Sequence, residues 1–322
     1  MKKLLISVLM AAALPAGALA QAWPDKPITV VVPFGAGGGV DAAARIVMPK
    51  LAERLGQQVL IENVPGASGT IGTQRVIKAK PDGYTLLFAV ASPINVAPLV
   101  APASVRYDAL KDLAPVAPVA VSPFVLVGKP GLPAATTTEL LALARKQPGK
   151  LTYGTDGFGT SLHVTAAMIT HTAGVDILHV PYKSGPQVLT DVAGGQVDLA
   201  VLPVALVQGM VKEGKVKAYG VTSKARSDAL PGVPSLSETP ALATLDVESW
   251  MGLLGPTGLD PTIVARLNKE VATLLADPAV LKQLADGGMK PMQMASADFG
   301  TYLQRERKAL AATVSAANIK AE

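Results

Sequence analysis

Short apolar runs alternate with amphipathic stretches along the chain. Residues 28–32 are apolar and β-branched, and this run is short enough for a buried parallel strand. Residues 58–61 and 84–88 form two more such runs, and helical patterns over residues 41–55 and 72–79 separate the three. This β-α-β-α-β order predicts a parallel sheet with helices on both of its faces.

The same alternation begins again after residue 123. A helical pattern covers residues 138–146, with Thr137 or Thr138 as its N-cap. Five further strands are predicted, at residues 124–127, 151–153, 177–180, 197–200 and 217–221. The chain is therefore expected to fold into two α/β lobes, and proline-rich segments such as residues 114–118 are candidate crossovers between them.

The last third of the chain is predicted to be helical. Asp260 and Asp277 each precede a proline, which places a capping carboxylate just before a proline at the first helical position. A final helix is predicted from Ser296 to about residue 317. Trp250 is expected to be a packing residue rather than a surface on which a ligand stacks, since tryptophan is usually largely buried.

The N-terminus has the three parts of a secretory signal peptide. Lys2 and Lys3 are followed by an apolar run over residues 4–14 and by a small-residue Ala-Leu-Ala site that ends at Ala20. Cleavage after Ala20 would send the protein to the periplasm. A membrane anchor is the weaker alternative, because the run falls short of the roughly 20 apolar residues that a spanning helix needs.

Composition narrows the class of protein. The chain of 322 residues has no cysteine, so we expect no disulfide, no thiolate chemistry, no Cys-based metal site and no lipoprotein anchor. The formal charge of +5 becomes +3 without Lys2 and Lys3. Basic residues are scattered and aromatic residues make up only 4% of the chain, so a nucleic-acid-binding surface is not expected.

A glycine-rich loop at residues 33–41 follows the first predicted strand and opens a helix. Gly37, Gly38 and Gly39 allow the backbone to approach a ligand, and the helix N-terminus offers free N–H groups that suit a carboxylate or a phosphate. A tight turn without a ligand is the open alternative. A dinucleotide fingerprint is disfavoured, because Val40 stands where its last glycine belongs.

A second glycine-rich loop, at residues 154–163, repeats this arrangement. Thr160 and Ser161 are placed to cap the following helix or to turn their hydroxyls to a ligand. A hydrolase is disfavoured, because Ser161 and His163 are two positions apart on a helix and no nucleophile elbow surrounds the serine. The three histidines do not have metal-site spacing, so no metal is expected. Two such loops, one in each lobe, would hold an anion from both sides of a cleft and so stabilise a closed form.

Motifs spread over the whole mature chain resemble the Bug (TctC-like) receptors, the extracytoplasmic solute-binding proteins of the tripartite tricarboxylate transporter family. The motifs are Trp23-Pro24-Asp25-Lys26-Pro27-Ile28, Val31-Val32-Pro33-Phe34 with Gly37-Gly38-Gly39 and Asp41, Leu55-Gly56-Gln57, Glu62-Asn63 with Pro65-Gly66-Ala67, Pro81-Asp82-Gly83-Tyr84-Thr85-Leu86, Tyr153-Gly154 with Gly157, Gly159-Thr160-Ser161 and His163, Val180-Pro181-Tyr182-Lys183, Gly194-Gly195-Gln196-Val197-Asp198, Ala218 with Val221-Thr222-Ser223, and Ser249-Trp250 with Gly252-Leu253.

The resemblance implies an α/β, two-lobed periplasmic-binding-protein fold of the type II-like, Venus-flytrap kind, with each lobe a sheet flanked by helices. Residues 21–122 and 248–322 would form one lobe, and residues 123–247 the other. The implied function is capture of a small carboxylate for a membrane transporter by a non-enzymatic receptor without a cofactor, which we expect to be a monomer. A ligand-sensing subunit of a periplasmic signalling system is the alternative.

The resemblance also implies the ligand-binding residues. They are Phe34, Gly37, Gly38, Gly39 and Asp41 in the first loop, Ser92 and Asn95 after the third strand, and Gly157, Gly159, Thr160, Ser161 and His163 in the second loop. Three positions depart from the family pattern. Val40 replaces a usual hydroxyl residue, Gly35-Ala36 replaces a usual proline or alanine pair, and Asp156 stands where a small residue is usual. Asp156 is expected either to bind a ligand ammonium group or to face solvent.

Overall fold

The computed structural model describes residues 23–316 and residue 319, so the predicted signal peptide at residues 1–20 lies outside the described residues. The strands are β1 (Ile28–Val32), β2 (Val59–Asn63), β3 (Thr85–Ala89), β4 (Leu113–Gly128), β5 (Thr152–Thr155), β6 (Leu178–Pro181), β7 (Leu199–Pro203), β8 (Lys217–Val221), β9 (Glu248–Pro256) and β10 (Lys290–Pro291).

Helices cover the faces of the sheet formed by these strands. They are α1 (Gly39–Leu55), α2 (Thr70–Ile77), α3 (Ala97–Val100), α4 (Ala109–Asp112), α5 (Thr137–Lys146), α6 (Ser161–Ala173), α7 (Gly185–Ala193), α8 (Val204–Lys212), α9 (Pro261–Leu274), α10 (Pro278–Asp286) and α11 (Ser296–Ala316). None of the described helices combines the length and the apolar character needed to cross a bilayer.

The strands form one sheet in the order β2-β1-β3-β9-β4-β7-β5-β6, with β8 and β10 also paired to β4. At one end β1 pairs in parallel with β2 and β3, and at the other end β5 pairs in parallel with β6 and β7. The predicted parallel β-α-β-α-β arrangement is therefore confirmed. Because β1, β2 and β3 are parallel, the loops that follow them lie at the same edge of the sheet, and the same holds for the loops after β5, β6 and β7. Open α/β sheets bind ligands at the carboxyl ends of their strands.

The strand β4 is longer than the sequence pattern predicts. Residues 113–123 pair with β9, and residues 124–128 pair with β7 and β8. The strand predicted at 124–127 is therefore the end of a longer strand, which also contains the candidate crossover at 114–118. Prolines normally disqualify a segment as a central strand. Here the pairing with β9 shifts register after Pro115 and again after Pro118, which accommodates residues that cannot donate to the ladder.

Three apolar clusters make up the core. One draws only on residues 124–247, and the other two are built mainly from the N-terminal third and the C-terminal helices. The lobe boundaries at residues 122 and 248 stay a prediction. Trp250 is fully buried against Phe299, and its Nε1 donates to Glu306 Oε2 at 2.8 Å, so it is a packing residue as predicted.

Several local predictions differ from the structure by a few residues. The N-cap of α5 is Thr136, which accepts from the Glu139 backbone, rather than Thr137 or Thr138. The strand predicted at 197–200 lies at Leu199–Pro203. The last third also contains β9, where a helical region was predicted. The capping roles of Asp260 and Asp277 are confirmed, since each accepts from the second backbone N–H after it.

Candidate functional site

A cavity of about 650 Å³ lies between the two predicted lobes, at the carboxyl ends of the parallel strands. One wall comes from the loops after β1, β2 and β3, and the opposite wall comes from the loops after β5, β6 and β7. Ser122 of β4 and Ser249 of β9, which are paired, lie between the walls. The lining residues are Phe34, Gly35, Gly38, Gly39, Val40, Pro65, Gly66, Ala67, Ser68, Gly69, Val90, Ser92, Ser122, Phe124, Asp156, Gly157, Phe158, Ser161, Leu162, Tyr182, Lys183, Ser184, Gly185, Pro186, Pro203, Ala205, Leu206, Ser249, Met251 and Met289.

The first glycine loop presents the N-terminus of α1 to the cavity. Gly38 is the N-cap of the helix, and no side chain caps the helix there. Gly38, Gly39 and Val40 all line the cavity. The first N–H groups of a helix have no partner within the helix and carry a partial positive charge, so this end of the cavity suits an anion.

Asp41 holds the first loop in shape from behind. One carboxylate oxygen accepts from the Gly37 backbone N–H at 2.9 Å and from Arg45 Nε at 2.8 Å. The other accepts from Asn63 Nδ2 at 3.0 Å. Burial by itself would raise the pKa of Asp41, but the hydrogen bonds from Arg45, Gly37 and Asn63 outweigh it and lower the pKa below its usual value. Asp41 is therefore an ionised, fully partnered support of the loop.

The two lobes meet closely at the first loop. A Cβ atom on Gly39 would lie 2.9 Å from the Cβ of Pro203, at the start of α8 in the opposite wall. Real side chains do not approach this closely, so only glycine allows the observed contact. Gly39 thus gives the two walls room to come together over the cavity.

In the second glycine loop, the N–H groups of Gly159, Ser161 and His163 already have partners. Thr160 caps α6 by accepting from the His163 N–H, and His163 Nδ1 accepts from the Gly159 N–H at 3.2 Å. Ser92, from the opposite wall, accepts from the Ser161 N–H at 2.9 Å and contacts its hydroxyl at 3.0 Å. This loop consequently offers a ligand fewer free donors than the first loop does.

Among the described residues that line the cavity, Asp156 of the second loop is the only acidic one. Its Oδ1 atom is buried and has no hydrogen-bond partner among the described residues. Burial raises the pKa of Asp156 to about 6, although the Thr160 hydroxyl opposes the rise. Asp156 as a residue is partly exposed, but its Oδ1 atom is buried. The predicted alternative in which the side chain faces solvent therefore does not apply to Oδ1.

Two histidines stack behind the second loop. The rings of His163 and His179 lie 4.2 Å apart, and Thr155 Oγ1 lies 2.7 Å from His179 Nε2. Burial lowers the pKa of His163 to about 3 and that of His179 to about 4, so both rings are neutral at pH 7. Among residues 23–316 and 319, no group of three or more His, Asp or Glu side chains is arranged to hold a metal ion.

The structure brings about half of the predicted ligand-binding residues to the cavity wall. Those that line it are Phe34, Gly38, Gly39, Ser92, Asp156, Gly157 and Ser161. The others do not line it, and they are Gly37, Asp41, Asn95, Gly159, Thr160 and His163. Asn95 is fully buried and donates to the Leu303 carbonyl and to Glu306, so it ties the segment after β3 to α11.

The sequence reasoning missed the loops after β6 and β7. Ser184, Gly185 and Pro186 begin α7, Pro203 begins α8, and all four line the cavity. Neither helix has a side-chain cap, so two more helix N-termini face the cavity. A strand followed by Ser-Gly-Pro was the available signal, because proline favours the first turn of a helix. The hydroxyls of Ser68, Ser122 and Ser249 left no such signal.

The chain is similar to known proteins along most of its length. The family model described as a tripartite tricarboxylate transporter family receptor matches residues 43–319. A relative from Pseudomonas sp. (strain P51), described as a UPF0065 protein in the tcbD-tcbE intergenic region, is 38% identical over 274 residues, which are 84% of this chain and 80% of the relative.

Two solved structures with bound carboxylates share the fold. Rpa4515 of R. palustris with adipate is 29% identical and has a TM-score of 0.89 over 92% of this chain and 99% of that one. MatC from Rhodopseudomonas palustris with bound malate is 31% identical and has a TM-score of 0.85 over 91% of this chain and 100% of that one.

Proposed function

The chain belongs to the tripartite tricarboxylate transporter receptor family, and from this premise we propose that it captures a small carboxylate between its two lobes. Members of the family are periplasmic receptors rather than enzymes. The two structural neighbours hold adipate and malate, both of which are small carboxylates. The proposed ligand therefore belongs to the same chemical class.

The observation that carries the proposal is the set of helix N-termini around the cavity. The helices α1, α7 and α8 all begin at its wall, and none of them has a side-chain cap. Their free N–H groups can each donate to a carboxylate oxygen, and their dipoles favour negative charge. Because α1 lies on one wall and α7 and α8 on the other, an anion between them stabilises the closed arrangement more than an open one.

The contacts of Ser161 and His163 favour binding over hydrolysis. The Ser161 hydroxyl lies against Ser92, whereas His163 Nδ1 accepts from the Gly159 N–H. An activated serine nucleophile needs a base within hydrogen-bond reach of its hydroxyl. The Ser161 hydroxyl and the His163 ring are not hydrogen-bonded to each other, which supports a receptor without catalytic residues.

The remaining parts of the proposal concern the surroundings of the receptor. The mature protein begins at Gln21, acts as a monomer in the periplasm, and hands its ligand to the membrane subunits of a tripartite transporter. Its lobes are residues 21–122 with 248–322, and residues 123–247. The separate apolar cluster drawn from residues 124–247 supports this division.

A thermal-shift measurement tests the proposed function. The purified protein is first unfolded and refolded to remove any ligand carried from the cell, and is then heated with malate or adipate. At a hundred times the dissociation constant, bound ligand adds about 2.7 kcal/mol to the free energy of unfolding, which raises Tm by several degrees. An unchanged Tm across malate, adipate and other small carboxylates would contradict the proposal.

A variant of the first loop ties the shift to this cavity. In Gly39→Ala, the added methyl group meets Pro203 only when the walls are together, so the closed form loses about 1–3 kcal/mol and affinity falls about 5- to 150-fold. The control is Gly131→Ala, because a Cβ there has no atom within 4 Å. Equal affinity in Gly39→Ala and the unaltered protein would place the ligand elsewhere.

A further inference from the structure

The cavity wall contains one acidic residue among those that the structure describes. Asp156 stands in the second loop, and its Oδ1 atom is buried without a partner. The only other charged residue in the wall is Lys183, which is exposed. Among the described residues, therefore, no hydrogen-bond donor partners the Oδ1 atom of Asp156, although the Thr160 hydroxyl bonds to the carboxylate.

A buried carboxylate oxygen without a partner is costly, and a ligand that supplies a donor removes the cost. Buried charges in proteins are normally paired or hydrogen-bonded, and leaving one unpaired carries its full desolvation penalty. At neutral pH Asp156 is ionised in most molecules, since burial raises its pKa only to about 6. An ionised Asp156 attracts a cation or an N–H donor and repels a second carboxylate.

The rest of the cavity defines where the other end of such a ligand would bind. The uncapped N-terminus of α1 lies on the wall opposite Asp156, at Gly38 and Gly39. The second loop, in contrast, has already used the N–H groups of Gly159, Ser161 and His163 on protein acceptors. The cavity is thus favourable to an anion at the N-termini of α1, α7 and α8 and to a cation at Asp156.

We propose that Asp156 determines specificity by binding an ammonium group, and that the ligand is an amino carboxylate whose carboxylate group lies at the N-terminus of α1. This inference rests on the proposed function, because it concerns the same cavity and adds the chemical class of the solute. The serine and tyrosine hydroxyls in the wall can bind polar groups between the two ends.

Matched pairs of compounds test the inference. Lactate and alanine, and malate and aspartate, differ by a hydroxyl and an ammonium group on the same carbon skeleton. Adipate and 6-aminohexanoate differ by a carboxylate and an ammonium group at one end. We expect the amino member of at least one pair to bind at least 10-fold more tightly, as measured by calorimetry on refolded protein at pH 7.5.

The variant Asp156→Asn keeps the shape of the side chain and removes its charge. We expect this variant to bind the preferred amino compound about 10- to 100-fold more weakly, since a hydrogen bond to a charged group is lost. Its affinity for the matched hydroxy acid or dicarboxylate should stay the same or increase. Asp176→Asn is the control, because Asp176 is exposed and lies outside the cavity wall.

The outcomes separate this inference from the proposed function. Tight binding of malate or adipate, with the amino member of every pair weaker, would overturn the role of Asp156 and leave carboxylate capture intact. An equal loss of affinity for both members of a pair in Asp156→Asn would also overturn it, because that result indicates damage to the cavity as a whole. A lack of binding by all six compounds would contradict both proposals.

Discussion

The two glycine loops have the same plan in the sequence and opposite chemistry in the structure. In each, a strand runs into glycines and then into a helix, and each loop contains one aspartate. In the first loop Asp41 is turned away from the cavity and accepts three hydrogen bonds, while the helix N–H groups are left for a ligand. In the second loop the N–H groups of Gly159, Ser161 and His163 have partners and Asp156 Oδ1 has none.

This difference shows that a glycine loop before a helix specifies an anion site only if its donors remain free. The partners that decide the matter are non-local. Ser92 takes the Ser161 N–H from 69 positions away in the sequence, and Asn63 reaches Asp41 from 22 positions away. The sequence around each loop does not record these contacts, so the two loops look equivalent until the chain is folded.

Among the substitutions that test the difference between the two loops, we expect Asp41→Asn to have the largest effect on stability. An asparagine has only one acceptor oxygen, whereas both oxygens of Asp41 accept hydrogen bonds from donors that are partly buried. At least one donor would then face the amide NH₂ group, and we expect the free energy of unfolding to fall by about 3 kcal/mol. Urea denaturation at pH 7 measures this change.

For that measurement, Asp176→Asn again serves as the control, with an expected change of less than about 0.5 kcal/mol because Asp176 is exposed. A similarly small change in Asp41→Asn would show that the Asp41 contacts do not support the first loop.

The corresponding change in the second loop should have the opposite sign. Without ligand, Asp156→Asn removes an unpartnered buried charge, so we expect the free energy of unfolding at pH 7.5 to rise by about 1–2 kcal/mol. The pKa of Asp156 is raised to about 6 in the folded protein, so the folded state binds more protons than the unfolded state between about pH 4 and 6. Stability from this group is thus present at low pH and lost as the pH rises through 6.

The difference in the free energy of unfolding between Asp156→Asn and the unaltered protein should therefore shrink as the pH is lowered from 7.5 to 4.5. Urea denaturation of both proteins at several pH values will measure it. A constant difference between them, or a destabilised variant at pH 7.5, would mean that Asp156 has a partner in the ligand-free protein.

The smallest expected effect concerns the capping of α6. Thr160→Ala removes the side chain that accepts from the His163 N–H, which should lower the free energy of unfolding by about 1 kcal/mol. The first loop has no equivalent cap to remove, since α1 begins at Gly38 without one. Thermal unfolding of the variant measures the cost, and a cost near zero would show that the second loop does not depend on its cap.

The elements that could be predicted from sequence are those that depend on local signals. Asp260 and Asp277 mark helix starts because a capping carboxylate and a proline act on their immediate neighbours. The parallel strands at the N-terminus follow from the alternation of apolar runs and helices. In contrast, the length of β4 was underestimated. Its prolines are tolerated only through register shifts against β9, a partner more than 100 residues away in the sequence.

Strand β4 runs continuously through both halves of the sheet, and this restricts how the two walls of the cavity can move relative to each other. Residues 113–123 pair with β9 and residues 124–128 with β7 and β8, so any rotation of one lobe against the other must bend this strand near its middle. Ser122 and its partner Ser249 sit at that pivot and also line the cavity. Atoms near a rotation axis are displaced least, so in such a rotation the cavity surface at these two serines would move less than the surface farther from the pivot.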